Sequence, residues 1–241
     1  MVDIATISST LFSGNYVFVI HDSASAVVVD PGDDHVCFDF LNDRRLNLVG
    51  IFITHHHYDH IAGVNSLKKA FPDVKVYGSD IEPDVGILCT EFVHEGSRFK
   101  MLNLDVQVIA TPGHTMGHIC FYVPELISLF CGDTLFNLGC GNVMEGSPKL
   151  MFESLQKLKQ LPKDTKVFCA HEYAEKNAMF VEKYCSIEDS TYQYIKDVRA
   201  KRAENMSTVP STIAKEILSN PFLKATSLED FSRLRSLRNH F

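Results

Sequence analysis

Short apolar runs with little internal polarity occupy the first two thirds of the chain, and a helical period takes over in the last third. The runs "YVFVI", "SAVVVD", "LVGIFIT", "VKVYG", "LDVQVIAT", "GHICFYV" and "LISLFCG" are rich in β-branched and aromatic residues and end at Gly, Pro, Asp or Asn, so each predicts a strand. Between them, 33–44, 60–71 ("HIAGVNSLKKAF") and 148–160 ("PKLMFESLQKLKQ") predict helices, the last opened by a proline suited to a first helical turn. A further strand, "TKVFCA", ends beside His171. From there 172–206 reads as helix almost throughout, and "TIAKEILSN" and "SLEDFSRLRSLRNHF" continue the pattern. The change of period divides the chain into an α/β domain, 1–171, carrying two sheets, and a smaller helical domain, 172–241.

Composition narrows the function classes. With 241 residues, 45% of them hydrophobic, the chain can bury a large core. A net charge of -7, with no basic block before the C-terminus, argues against nucleic acid as a partner. The opening "MVDIATISSTLFSGN" lacks a basic start and an apolar segment of signal-peptide length, and 18 consecutive apolar residues occur nowhere, so neither export nor membrane insertion is expected. Seven cysteines, none in a C-x-x-C, with Cys120, Cys131 and Cys169 inside apolar runs, read as reduced thiols of a cytoplasmic protein. The arginine-bearing tail "FSRLRSLRNHF" is better suited to packing and carboxylate binding than to lying on a membrane.

The chemistry concentrates in "FITHHHYDH", 52–60. Were the strand to continue past Thr54, His55 and His57 would share one side and His56 would face the other. Asp59 and His60 follow at the start of a helix. Imidazole nitrogen and carboxylate oxygen are ligands for Zn, Fe or Mn, and packing gives no reason for so dense a cluster. Three more candidates each follow a strand: His114 in "TPGHTMGH", Asp133 in "CGDTLF" and His171 in "CAHEY". Seven ligands suit two ions: three histidines for the first, Asp59 with two histidines for the second, and Asp133 between them. His118 competes with His114 but opens an apolar strand, and Cys131 and Cys169 each stand two residues from a better ligand.

These motifs carry a family resemblance. "THHHYDH" resembles the T-H-x-H-x-D-H signature of the metallo-β-lactamase superfamily. "TPGHTMGH", "CGDTLFNLGCGNVMEG", "CAHEYAEKNAMF", "VPSTIAKEILSNPFL" and "LRSLRNHF" narrow the resemblance to the glyoxalase II (hydroxyacylglutathione hydrolase) family over 11–241. The resemblance implies an αββα sandwich with a C-terminal helical domain. It implies hydrolysis of S-(R)-lactoylglutathione to D-lactate and glutathione. It also implies a first metal on His55, His57 and His114, a second on Asp59, His60 and His171, and Asp133 bridging them. His56 matches a variable position. Tyr173 matches a glutathione-site tyrosine, and Arg235 with Arg238 matches a basic pair for the glycyl carboxylate, the second arginine standing where the family has lysine. After "GCG", Asn142 and Met144 replace a basic and an aromatic residue, which bears on substrate affinity rather than on metal chemistry.

Two cations sharing a carboxylate can hold a common water as hydroxide near neutral pH, and a thiolate leaves without strong acid assistance. Asp59 adds a second function as an orienting group for that hydroxide. No G-x-S-x-G elbow occurs. A lactamase would be exported, a persulfide dioxygenase would leave Asp59 and His171 without a metal to bind, a ribonuclease would need a basic groove, and a closed metal-stabilised binding module would not need seven ligands. The expectation is therefore a binuclear hydrolase, with Zn before Fe or Mn, acting as a monomer.

Overall fold

Tyr16, Phe18 and Ile20 of one strand point into one hydrophobic cluster while Val17 and Val19 point into another, so no residue of the run is free to be polar. Burial on both faces is why the sequence shows continuous apolar runs instead of alternation. The computed structural model describes residues 1–241 and resolves two six-stranded sheets.

The first sheet runs in chain order: β1 (Asp3–Ser8), β2 (Tyr16–His21), β3 (Ser25–Val29), β4 (Asn47–Phe52), β5 (Lys75–Gly78) and β6 (Glu91–Phe92). Its first three strands pair antiparallel and the remainder parallel. The second sheet holds β7 (Arg98–Met101), β8 (Leu104–Ala110), β9 (Ile119–Val123), β10 (Ser128–Gly132), β13 (Lys166–Cys169) and β14 (Ser211–Thr212), with β14 and β7 at its edges. Along the chain between β10 and β13, which pair directly in the sheet, comes a separate hairpin, β11 (Leu135–Phe136) with β12 (Gly139–Cys140). The sheets meet through a core in which Phe52 of β4 stacks on Phe121 of β9 with ring centroids 4.6 Å apart. On the outer side of the first sheet lie α1 (Asp34–Arg44), α2 (Tyr58–Ile61), α3 (Val64–Ala70) and α4 (Val85–Leu88), with Leu41, Val64, Leu67 and Val85 buried against Val28 and Ile51. In the second sheet all five residues of β9 are buried, and α5 (Pro148–Leu158) sinks Met151, Leu155 and Leu158 into the same cluster as that strand. No helix is long and apolar enough to cross a membrane.

Several elements depart from the sequence expectation. The helix expected over 60–71 breaks at Gly63, whose N–H turns to Pro31 O at 2.8 Å; a Cβ there would lie 2.6 Å from that oxygen. The strand expected from 126 starts at Ser128, because Pro124–Leu126 form a 3-10 turn and Ile127 takes φ 48. The helix expected over 172–206 is two, α6 (Ala174–Tyr184) and α7 (Asp189–Ala203), parted where Cys185 becomes extended, and an Arg199–Glu182 ion pair ties the second back to the first. After them come α8 (Ile213–Ser219), α9 (Pro221–Lys224) and α10 (Leu228–Asn239). This helical segment also supplies β14, which pairs with β13, and Phe180, Phe222 and Phe231 join the same hydrophobic cluster as the sandwich. Helix burial of this kind removes apolar surface on both sides at roughly 25 cal/mol per Å².

Candidate metal centre

Asp30, at the end of β3, anchors the histidine loop. Its carboxylate accepts the Thr54 N–H at 2.8 Å and the Thr54 hydroxyl at 2.7 Å, and is itself 3% exposed. The His55 Nδ1–H donates to Thr54 Oγ1 at 3.0 Å, and the His60 Nδ1–H donates to Asp30 at 3.0 Å. Each ring thereby aims Nε2 away from its anchor, the outer partnership usual around metal-binding histidines.

The free nitrogens converge. His55 Nε2 lies 3.0 Å from His57 Nδ1, which lies 3.0 Å from His114 Nε2. The other nitrogen of His114 donates to Asn142 O at 2.8 Å. On the far side Asp59 Oδ2 lies 3.6 Å from His60 Nε2 and 3.7 Å from His171 Nε2. Asp133 stands between the groups: Oδ2 is 3.5 Å from His114, while Oδ1 is 3.0 Å from His171 and 3.6 Å from His60. Donors around a tetrahedral ion with ~2.1 Å bonds are roughly 3.4 Å apart, so these separations suit one divalent ion in each cluster. His60 Nε2 and Asp133 Oδ1 are buried without a hydrogen-bond partner, which an ion between them would satisfy.

The electrostatics fit the same occupants. Burial, with neighbouring imidazoles, holds His55 well below the usual imidazole range and lowers His57 too, favouring the neutral, ligating form of both. Burial also disfavours charge on His60, yet Asp30, Asp133 and Asp59 outweigh it and raise its pKa to about 9. Burial opposes ionisation of Asp133, but His171, His60 and His114 hold its carboxyl well below the usual range. Three carboxylates around one position call for positive charge there.

The remaining candidates lie outside these clusters. His56 turns away to the buried Glu82, which also takes its backbone N–H at 2.9 Å, and to Glu145 at 3.1 Å. His118 spends both nitrogens, Nδ1 on Thr111 Oγ1 at 2.9 Å and Nε2 accepting the Asp133 N–H at 3.2 Å, and so positions Asp133. Cys131 and Cys169 are buried, and burial pushes both thiols up. His56→Ala should leave metal content per chain unchanged, with a stability cost of about 1–3 kcal/mol for the lost contacts to Glu82 and Glu145; loss of one ion by elemental analysis would contradict this. Gly132 has φ 45, and a Cβ on it would lie 2.4 Å from Thr54 Oγ1 and 2.8 Å from His118 Nε2. Gly132→Ala should cost about 1–3 kcal/mol in thermal unfolding, as overpacking does; an unchanged melting temperature would show that the site relaxes freely.

Beside the clusters is a pocket of about 280 Å³ lined by Asn142, Tyr173, Arg235 and Arg238, together with Phe136 and Lys176. Tyr173 stacks on His171, 4.7 Å between centroids at 5°, so the pocket abuts the second cluster. Burial, with Asp133 and Asp59, pushes the Tyr173 phenol up to about 12 and keeps it a neutral donor. Cys140 also faces the pocket, and burial raises its thiol, which disfavours a thiolate nucleophile. Sequence reasoning missed Lys176 and Phe136. It also missed Asp30 and Asn15, whose amide holds Asp59 Oδ2 at 2.8 Å. Asp30 carried a signal, an acid closing the run "SAVVVD"; Asn15 carried none.

The description "Metallo-beta-lactamase superfamily" matches residues 9–171, and "Hydroxyacylglutathione hydrolase C-terminus" matches residues 172–241. The hydroxyacylglutathione hydrolase of Photobacterium profundum is 40% identical over 247 residues, spanning 95% of this chain and 96% of its own. That of Vibrio campbellii is 44% identical over 219 residues, spanning 90% of this chain and 85% of its own. Among solved structures, ETHE1 from Myxococcus xanthus has a TM-score of 0.73 at 24% identity over 97% of this chain and 90% of that one. BLEG-1 B3 metallo-beta-lactamase has a TM-score of 0.70 at 22% identity over 92% of this chain and 100% of that one. A protein solved in a di-iron-bound form has a TM-score of 0.59 at 23% identity over 92% of this chain and 96% of that one.

Proposed function

Because the chain belongs to the metallo-β-lactamase superfamily and, within it, to the hydroxyacylglutathione hydrolases, we propose that it hydrolyses S-(R)-lactoylglutathione to D-lactate and glutathione, with the pocket at Tyr173 and Arg238 as its glutathione site. It is a thioester hydrolase of the αββα fold with a divalent-metal site. The observation that carries the substrate reading is the junction of two surroundings: a pocket bearing Lys176, Arg235 and Arg238 opens directly beside seven converging metal-type ligands. Glutathione thioesters carry two carboxylates, and fixed cations set apart from the reacting carbonyl would hold them.

In this reading His55, His57 and His114 would hold one ion, Asp59, His60 and His171 the other, and Asp133 would serve both. When bound, divalent ions supply Lewis-acid polarisation of the carbonyl and a nucleophile at neutral pH. The chain's own groups do the rest. Asn15 fixes Asp59 so that its free carboxylate edge can orient the attacking group. Tyr173 presents its hydroxyl to the substrate backbone above His171, and the cationic wall retains the departing thiolate's peptide. A glutathione thiol, near ~8.5, leaves as the anion without a dedicated acid. Imidazole and carboxylate ligands favour Zn, with Fe or Mn as alternatives set by supply. Residues 1–171 serve as the catalytic domain and 172–241 as the helical substrate-binding domain of a monomer. Seven unpaired cysteines support a reducing, cytoplasmic setting.

Metal analysis of the purified protein, paired with a thioester assay, tests the reading. Two ions per chain and preference for S-lactoylglutathione over a thioester lacking the glycyl carboxylate are expected. A single iron with negligible thioester turnover would overturn it.

A further inference from the structure

The turn between β11 and β12 is held almost entirely from the helical segment. Glu216 on α8 is 0% exposed and no cation touches it. Its Oε2 accepts the Leu138 N–H at 2.9 Å and the Asn220 amide at 3.0 Å, and its Oε1 accepts the Tyr194 hydroxyl at 2.6 Å. The same Asn220 amide donates to Phe136 O at 3.0 Å and Gly139 O at 2.8 Å, the two carbonyls that close the hairpin. Leu138 sits at φ 57, a conformation that an L residue keeps only where its surroundings impose it. Burying an unpaired carboxylate is costly unless every acceptor site is used, and here the donors are the hairpin's own backbone and the groups that brace it.

What the hairpin carries explains why this matters. Phe136 and Cys140 line the substrate pocket, and two residues past Cys140 the Asn142 carbonyl receives the His114 Nδ1–H. We propose that Glu216, acting with Asn220, is a positioning residue: it fixes the 135–141 hairpin and through it both the pocket wall and the orientation of His114. The proposal rests on His114 being a ligand of the first ion. It gives the helical segment a role at the metal centre in addition to its cationic wall, although Glu216 touches neither substrate nor ligand.

The test compares Glu216→Gln with Tyr194→Phe, which removes a bond to the same carboxylate on the side away from the hairpin. Each protein is dialysed against a chelator, assayed for zinc per chain, and measured for kcat and KM on S-lactoylglutathione and for thermal unfolding. The direct partner of His114 is the Asn142 carbonyl, and such a partner is worth roughly 10 to 100-fold in metal affinity, which a loosened hairpin would forfeit by displacing it. Glu216→Gln should therefore retain one ion where the unaltered protein retains two, with KM raised about tenfold, while Tyr194→Phe keeps both ions and its KM within about twofold. Asn220→Ser, which preserves the α9 N-cap but removes the donors to the hairpin carbonyls, should reproduce the Glu216→Gln pattern and serves if that variant does not fold. Full zinc retention with normal KM in both hairpin variants, or changes in Tyr194→Phe of equal size, overturns the proposal. His114→Ala in the same dialysis separates the two readings: retention of both ions there refutes the metal assignment, and KM in Glu216→Gln still decides the hairpin's part in the pocket.

Discussion

Asp133→Ala should lose metal and activity together, with kcat/KM on a glutathione thioester lowered by more than about 100-fold. The side chain is the one carboxylate that reaches both clusters, Oδ2 toward His114 and Oδ1 toward His60 and His171. Removing it takes a ligand from each proposed ion, and even an outer-shell partner is worth roughly 10 to 100-fold in metal affinity. It also removes the negative charge that offsets the electrostatic cost of two cations at close quarters. The backbone N–H that Asp133 gives to His118 survives the substitution, so the loop should stay in place and unfolding should shift little compared with the loss of metal. Elemental analysis and steady-state kinetics on one preparation check this. Two ions per chain with normal turnover would remove Asp133 from the site.

The two arginines of α10 should behave differently from one another. They are three residues apart and the helix places them on one face, which at the level of sequence suggests one shared task. In the structure Arg235 is 6% exposed and already engaged: its Nη1 donates to Cys140 O at 2.9 Å and Gly141 O at 3.2 Å, and its Nε donates to Asn239 at 2.9 Å. Arg238 is half-buried and rests Nε and Nη2 on Asn177 Oδ1 at 3.2 and 3.0 Å, leaving the rest of its fork toward the pocket. Losing a charged hydrogen bond to substrate costs about 1.5–3 kcal/mol, so Arg238→Ala should raise KM about tenfold or more with kcat little changed. Arg235→Ala should raise KM as well, but it also strands two carbonyls of the turn leading to Asn142, so kcat and the melting temperature should fall with it. Kinetics on S-lactoylglutathione beside a small thioester without the glycyl carboxylate separate the cases. If Arg235→Ala impairs only the glutathione substrate and leaves unfolding unchanged, its bonds to the turn are incidental.

The ligand-type residues were legible because their signal is local. His55, His57, Asp59 and His60 fall within six positions, and His114, Asp133 and His171 each follow an apolar strand, so composition and spacing alone bring out the donor set. The strands were legible for a related reason: residues covered on both faces have to be apolar, whatever covers them. The sequence by itself therefore determined eight of the sandwich strands, the helical tail and the candidate ligands, but not β1, β6, β7 and β14, which are two residues long or partly exposed and so leave no apolar run. Only the tertiary structure decided what surrounds them. Asn15 reaches Asp59 across 44 positions, Glu216 reaches Leu138 across 78, and Arg235 reaches Cys140 across 95. Such contacts leave no periodicity, because a hydrogen bond depends on where two segments meet in space, while pattern along the chain records only which face of each segment is dry.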